Sequence, residues 1–90
     1  MLFIMERGMI RVQLFASLKD AAGDSCIELP LSEETSVSEL FAMLIERFPE
    51  CERYRTIVLT AVNEEYADWD TLVGPGDSVA FFPPVSGGAP

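Results

Sequence analysis

Ninety residues make one domain with a modest core, which buries roughly 60–65% of the surface the unfolded chain exposes. Fifteen acidic residues against six basic ones give a net charge of -9. That charge repels nucleic acid and anionic membranes; it suits a basic protein partner, or solubility alone. With no histidine, the commonest general base and metal ligand are missing, and the 49% hydrophobic content excludes disorder.

The chain opens on Met1-Leu2-Phe3-Ile4-Met5-Glu6-Arg7-Gly8, too short for a secretory signal with its flanks. Met9 reads as the natural start. Residues 1–8 then form an extension from an upstream start codon or from cloning, unless they lengthen the first strand. Ile10 to Phe15 alternates strictly, so Ile10, Val12 and Leu14 are expected inside and Phe15 outside. Ser17 to Gly23 suggests a short helical turn, capped by Ser17 and ended by Gly23. Cys26 to Leu31 is a second alternating strand.

Ser36-Val37-Ser38-Glu39 has the form of a capping box. Behind it Val37, Leu40, Phe41, Leu44, Ile45 and Phe48 recur at helical spacing, and Pro49 stops the helix. Glu50 to Arg55 reads as a polar connection. Ile57 to Val62 is a third strand rich in β-branched residues. Asn63-Glu64-Glu65 offers a turn, and Gly74-Pro75-Gly76-Asp77 a tighter one after a short segment at 71–73. Ser78 to Phe82 is the last strand, with Val79 and Phe81 on one face and Ala80 and Phe82 on the other.

One helix between the second and third strands, with the last strand central, gives an α+β fold of the β-grasp (ubiquitin-like) kind. A mixed four- to five-stranded sheet is expected, spanning residues 9–82, with a tail at 83–90. Cys26 and Cys51 form no CxxC pair and read as small hydrophobes or partly exposed thiols, so no metal site is expected. With no signal peptide, the expected compartment is a reducing cytoplasm. No apolar run approaches the roughly 20 residues that span a bilayer.

The tail carries the chemistry. Pro83 and Pro84 have no N–H, so pairing ends there and the chain is aimed away from the body. Val85 and Ser86 are small, and Gly87 and Gly88 have no side chain, so this end can thread a channel too narrow for a Cβ. Such an end is often merely frayed. Here it follows directly on a hydrophobic strand, and Phe15 and Phe82 face outward near its root. Tyr66 is placed beside them, although its strand parity is open. Exposed aromatics around a projecting tail form a docking patch.

The stretches Ile10-Arg11-Val12-Gln13-Leu14-Phe15-Ala16, Leu59-Thr60-Ala61-Val62-Asn63, Gly76-Asp77-Ser78-Val79-Ala80 and Phe81-Phe82-Pro83-Pro84-Val85-Ser86-Gly87-Gly88 carry a family likeness. The chain resembles, over residues 9–88, the MoaD family of ubiquitin-like sulfur carriers, the small subunits of molybdopterin synthase. A bare Gly-Gly is weak; the Phe-Phe-Pro-Pro run before it is specific.

The resemblance implies that an E1-like enzyme uses ATP to adenylate the last glycine. Sulfur then converts it to a thiocarboxylate, which donates sulfur to cyclic pyranopterin monophosphate in molybdenum cofactor synthesis. It makes Gly88 the reacting residue, Gly87 its slim lead-in and Pro83, Pro84, Val85 and Ser86 the guide. Phe15, Tyr66 and Phe82 become anchors for the large subunit, in a heterotetramer. It also implies that this chain binds no cofactor and has no complete active site of its own.

Gly88 is followed by Ala89-Pro90, which places its carboxyl in a peptide bond. Protease trimming, addition by cloning, and an inactive relative or fragment of a longer fusion are the three readings. The alternatives in function are a related β-grasp sulfur carrier or protein modifier, and a binding module whose Gly88 never reacts.

Overall fold

The alternation of Ile10, Val12 and Leu14 builds the first strand, β1 (Met9–Leu14), with all three side chains fully buried. The computed structural model describes residues 8–84. β1 is followed by α1 (Ser17–Ala22), β2 (Cys26–Pro30), β3 (Thr35–Ser36) and α2 (Val37–Arg47). A 3-10 helix over Pro49–Tyr54 leads to β4 (Leu59–Val62), β5 (Glu65–Ala67), β6 (Leu72–Val73) and β7 (Ser78–Phe82).

The main sheet has five strands in the order β2-β1-β7-β4-β5, and β3 and β6 make a separate pair. The last strand is therefore central, as expected. It runs parallel to β1, from Arg11↔Ser78 to Leu14↔Phe81, and antiparallel to β4, from Leu59↔Phe82 to Val62↔Val79. α2 lays Val37, Leu40, Phe41 and Leu44 against the inner face, and Phe41 meets Phe81 edge-on at 4.9 Å. This is the β-grasp arrangement of a mixed sheet and one main helix.

Several local expectations are corrected. Ser17 does not cap α1: the cap position is Ala16, at φ 54°, with no side-chain hydrogen bond. The chain turns at Ala16, straight after the strand, so Ser17 is already helical, and burial of Leu18 holds the turn in place. Gly23 does end α1, at φ 84°, where its N–H donates to the Lys19 carbonyl.

Ser36 caps α2 by accepting from the Glu39 N–H at 3.1 Å. Among the described residues the Glu39 carboxylate makes no return bond, so half of the box forms. Segment 50–55 is not a plain connection: residues 50–54 belong to the 3-10 helix and Arg55 caps it, with Pro49 in its first turn and Cys51 turned fully into the core. Burial, with the Glu50 carboxylate adding, pushes the Cys51 thiol above its ordinary range. Cys26 is exposed.

The third strand starts at Leu59 rather than Ile57. The Ile57 and Val58 N–H groups both donate to the Tyr54 carbonyl, at 3.0 and 2.9 Å, and so close the 3-10 helix instead. Glu65 belongs to a further strand, not to the turn before it. Asn63 at φ 50° and Glu64 at φ 74° form a two-residue mirror-image turn that returns β5 along β4.

The Asn63 side chain ties this turn to the next one. Its amide donates to Asp77 Oδ1 at 3.1 Å and its oxygen accepts from the Ser78 N–H at 3.0 Å. Pro75 and Gly76 fill the centre of the second turn, with Gly76 at φ 92° and Asp77 Oδ2 accepting from the Gly74 N–H at 2.8 Å.

Candidate functional site: the aromatic face at the root of the tail

β7 ends at Phe82, and Pro83 and Pro84 follow outside the sheet. Because the strand alternates, Phe81 goes into the core and Phe82 onto the open face. Two alanines, Ala80 and Ala61, are register partners on that face, and Ala61 is also opposite Tyr66. Their small side chains leave room for larger rings to lean in from both sides.

Phe15 and Tyr66 use that room. Phe15 meets Phe82 edge-on at 6.2 Å, and Tyr66 lies tilted against Phe82 at 6.1 Å. The Phe15 N–H donates to the Phe81 carbonyl at 3.3 Å, which fixes Phe15 beside the end of β7. Phe15 is 49% exposed and Tyr66 80%, while Phe82 between them is half-buried. The three aromatics named from the sequence therefore do converge. The parity of Tyr66, open in the sequence, is fixed by β5 pairing.

Three apolar residues of this end were missed. Leu59 stands opposite Phe82 and is 41% exposed; Ile57, two residues ahead of it, is 48% exposed. Trp69 is 37% exposed. Ile57 to Val62 is apolar at nearly every position, so no polar alternation marks which residues face out. The only mark is Thr60, and it is misleading, because Thr60 is on the buried side.

Trp69 is held firmly. Its carbonyl accepts from the Ser38 N–H at 3.0 Å, and its ring packs edge-on to Phe41 at 5.6 Å. The turn that carries it is closed by Asp68 and Thr71: the Asp68 N–H donates to Thr71 Oγ1, and the Thr71 N–H donates back to the Asp68 carbonyl.

Chemically this face is aromatic at the tail end, with Arg11 and Gln13 farther along β1. Pro83 and Pro84, expected to guide the tail, follow directly on Phe82, Pro83 half-buried and Pro84 exposed. Val85, Ser86, Gly87 and Gly88 lie outside the described residues. Among the described residues, no three His, Cys, Asp or Glu side chains are gathered as metal ligands, and no helix is long and apolar enough to cross a membrane.

Comparison with known proteins places this architecture. Residues 12–88 match the family model described as the ThiS family. The molybdopterin synthase sulfur carrier subunit of Dictyostelium discoideum is 38% identical, over 87% of this chain and 94% of that protein. The protein of the same name from Arabidopsis thaliana is 33% identical, over 88% of this chain and 82% of its own length.

Among solved structures, SAMP1 from Haloferax volcanii superposes with a TM-score of 0.78 at 27% identity, covering 89% of this chain and 99% of that one. A complex of subunits 1 and 2 of the molybdopterin-converting factor from Helicobacter pylori contains the same fold, with a TM-score of 0.65 at 24% identity, over 88% and 97% of the two chains. The chain belongs to the ThiS family, among the molybdopterin synthase sulfur carrier subunits.

Proposed function

We propose that this protein is the sulfur-donating small subunit of a molybdopterin synthase, acting through the carboxyl of Gly88. The observation that carries the reading is the convergence of Phe15, Tyr66 and Phe82 where β7 gives way to Pro83-Pro84. An aromatic anchor beside a projecting, side-chain-poor tail suits a protein that docks on a partner and extends its end into the partner's site. The family match supports this, since it runs through Gly88.

The chemistry follows from what a carboxylate lacks. It is a poor acyl donor and holds no sulfur. An E1-like partner uses ATP to form the acyl-adenylate of Gly88, with release of pyrophosphate. A sulfur nucleophile then attacks the acyl carbon, AMP leaves, and a thiocarboxylate remains. Its soft sulfur attacks the pyranopterin held by the large subunit and displaces an oxygen substituent there; water then cleaves the acyl carbon–sulfur bond, which leaves the sulfur on the pterin and returns Gly88 to the carboxylate. Two such cycles supply both dithiolene sulfurs. On this reading the partners supply the bases and any cofactor the steps need. All of this requires a free carboxyl on Gly88, so Ala89-Pro90 must be removed first.

Intact-mass measurement of the protein from its own cells tests the reading. The expected species ends at Gly88 with one oxygen replaced by sulfur. A protein that always retains Ala89-Pro90 argues for a binding module instead. The fold likeness to SAMP1, named in full as a small archaeal modifier protein, keeps protein modification as the second reading. A Gly88–lysine isopeptide on other proteins would favour it.

Docking has its own test. Phe82→Asp places a charge at the centre of the aromatic group and is expected to weaken binding to the large subunit by more than about 30-fold. Thermal stability should fall by only about 1–2 kcal/mol, because the half-buried ring gives up its contacts with Phe15 and Tyr66 while the core stays intact. Undiminished complex formation would remove Phe82 from the interface.

A further inference from the structure

Tyr66 has a second side. Between it and Trp69 the surface opens into a cleft of about 450 Å³, whose lining includes Leu59, Asp68 and Asp70. Among the described residues no cation pairs with either carboxylate; the one ion pair there is Arg53 with Glu50.

The geometry points to this cleft as the receptor for a lysine or arginine side chain on the docking surface of the large subunit. The inference rests on the function proposed above. Three features argue for a cation on an aliphatic stem. Leu59, Tyr66 and Trp69 in the lining supply apolar contact for the stem and aromatic contact for the charged head. Asp68 and Asp70, both exposed and both in the lining, supply the opposite charge. The chain as a whole, at -9, draws basic surfaces toward it.

The cleft is also continuous with the aromatic group, because Tyr66 is a wall of one and a member of the other. A partner seated on Phe82 therefore reaches the cleft without a second contact area. Nor must the receptor be formed on binding. The turn from Asp68 to Thr71 is closed by its own hydrogen bonds, and Trp69 is pinned to the start of α2 by Ser38 and to the core by Phe41. A rigid receptor loses little entropy on engagement. The Val37, Ser38 and Glu39 N–H groups at that helix end are all taken, by Thr71, Trp69 and Ser36, so the end itself offers no competing anion site.

The test is the double variant Asp68→Asn with Asp70→Asn, titrated against the large subunit at low and high salt. Asn keeps the size of each side chain, and the turn is closed by the Asp68 backbone rather than its carboxylate. The expected result is affinity about tenfold weaker at low salt, a gap that closes at high salt, and a flatter salt dependence. Phe82→Asp is measured alongside. An unchanged affinity and salt slope in the Asn variant, while Phe82→Asp loses binding, overturns the cleft and leaves the function standing. Loss in neither variant removes both the cleft and Phe82 from the docking surface, and with them the observation that carries the proposed function.

Discussion

Phe81→Ala is expected to destabilise the fold by about 3–5 kcal/mol, the range for removing a large aromatic from a close-packed core. A domain of this size holds on the order of 4–12 kcal/mol in total, so the change takes a large share of it. The high end is expected because of where Phe81 sits. It is fully buried on the central strand, paired with Leu14 on one side and Thr60 on the other. Both ladders prevent the strand from closing onto the void.

The ring also supports others. Phe41 packs on it at 4.9 Å and in turn carries Trp69 at 5.6 Å, so the cavity opens under the helix and under the acidic turn together. Urea or thermal unfolding measures the loss, and the melting temperature should fall on the order of 20 °C. A loss below about 1.5 kcal/mol would mean the core collapses onto the void, contrary to this account. Any docking defect of this variant should disappear on moderate cooling, when the fold is restored. The defect of Phe82→Asp should persist.

The pair Phe81 and Phe82 also shows how far the sequence could be read. Strict alternation in β1 and β7 assigns inner and outer faces without a structure, because one face is apolar and Arg11, Gln13 and Ser78 mark the other. The spacing of α2 and the cap at Ser36 are equally legible, being local. The end of β7 is legible because Pro83 and Pro84 have no N–H to continue the ladder.

What was not legible depended on partners distant in the chain. Tyr66 takes its face from pairing with Ala61, which requires the mirror-image turn at Asn63-Glu64, and glutamate at a positive φ is a poor signal for one. Ile57 and Val58 carry strand-forming side chains, yet their N–H groups are captured by the Tyr54 carbonyl. Trp69 has no periodicity around it, and its position is set by Ser38 and Phe41. The cleft beside Tyr66 was invisible for the same reasons.

Gly88→Val, made in a chain ending at residue 88, is expected to abolish sulfur transfer, by at least about 100-fold, with an unchanged melting temperature and unchanged binding to the large subunit. The separation follows from the architecture. In the proposed function binding rests on the rings that β1, β5 and β7 bring together, and stability rests on the core beneath them. Position 88 lies past Pro84, which is already exposed and outside the sheet. A branched side chain there changes neither, but it must pass wherever the glycine passes, and it crowds the acyl carbon that AMP and sulfur must reach. Adenylation and thiocarboxylate formation, followed by mass, should fail before the transfer step does. A parallel assay of the chain that retains Ala89-Pro90 should show no adenylate at all, because it has no carboxyl on Gly88 to activate. If the Val variant transferred sulfur at a normal rate, the channel would not be narrow, and the two glycines would need another explanation. If it bound the large subunit poorly, the tail would be part of the docking surface rather than its passenger.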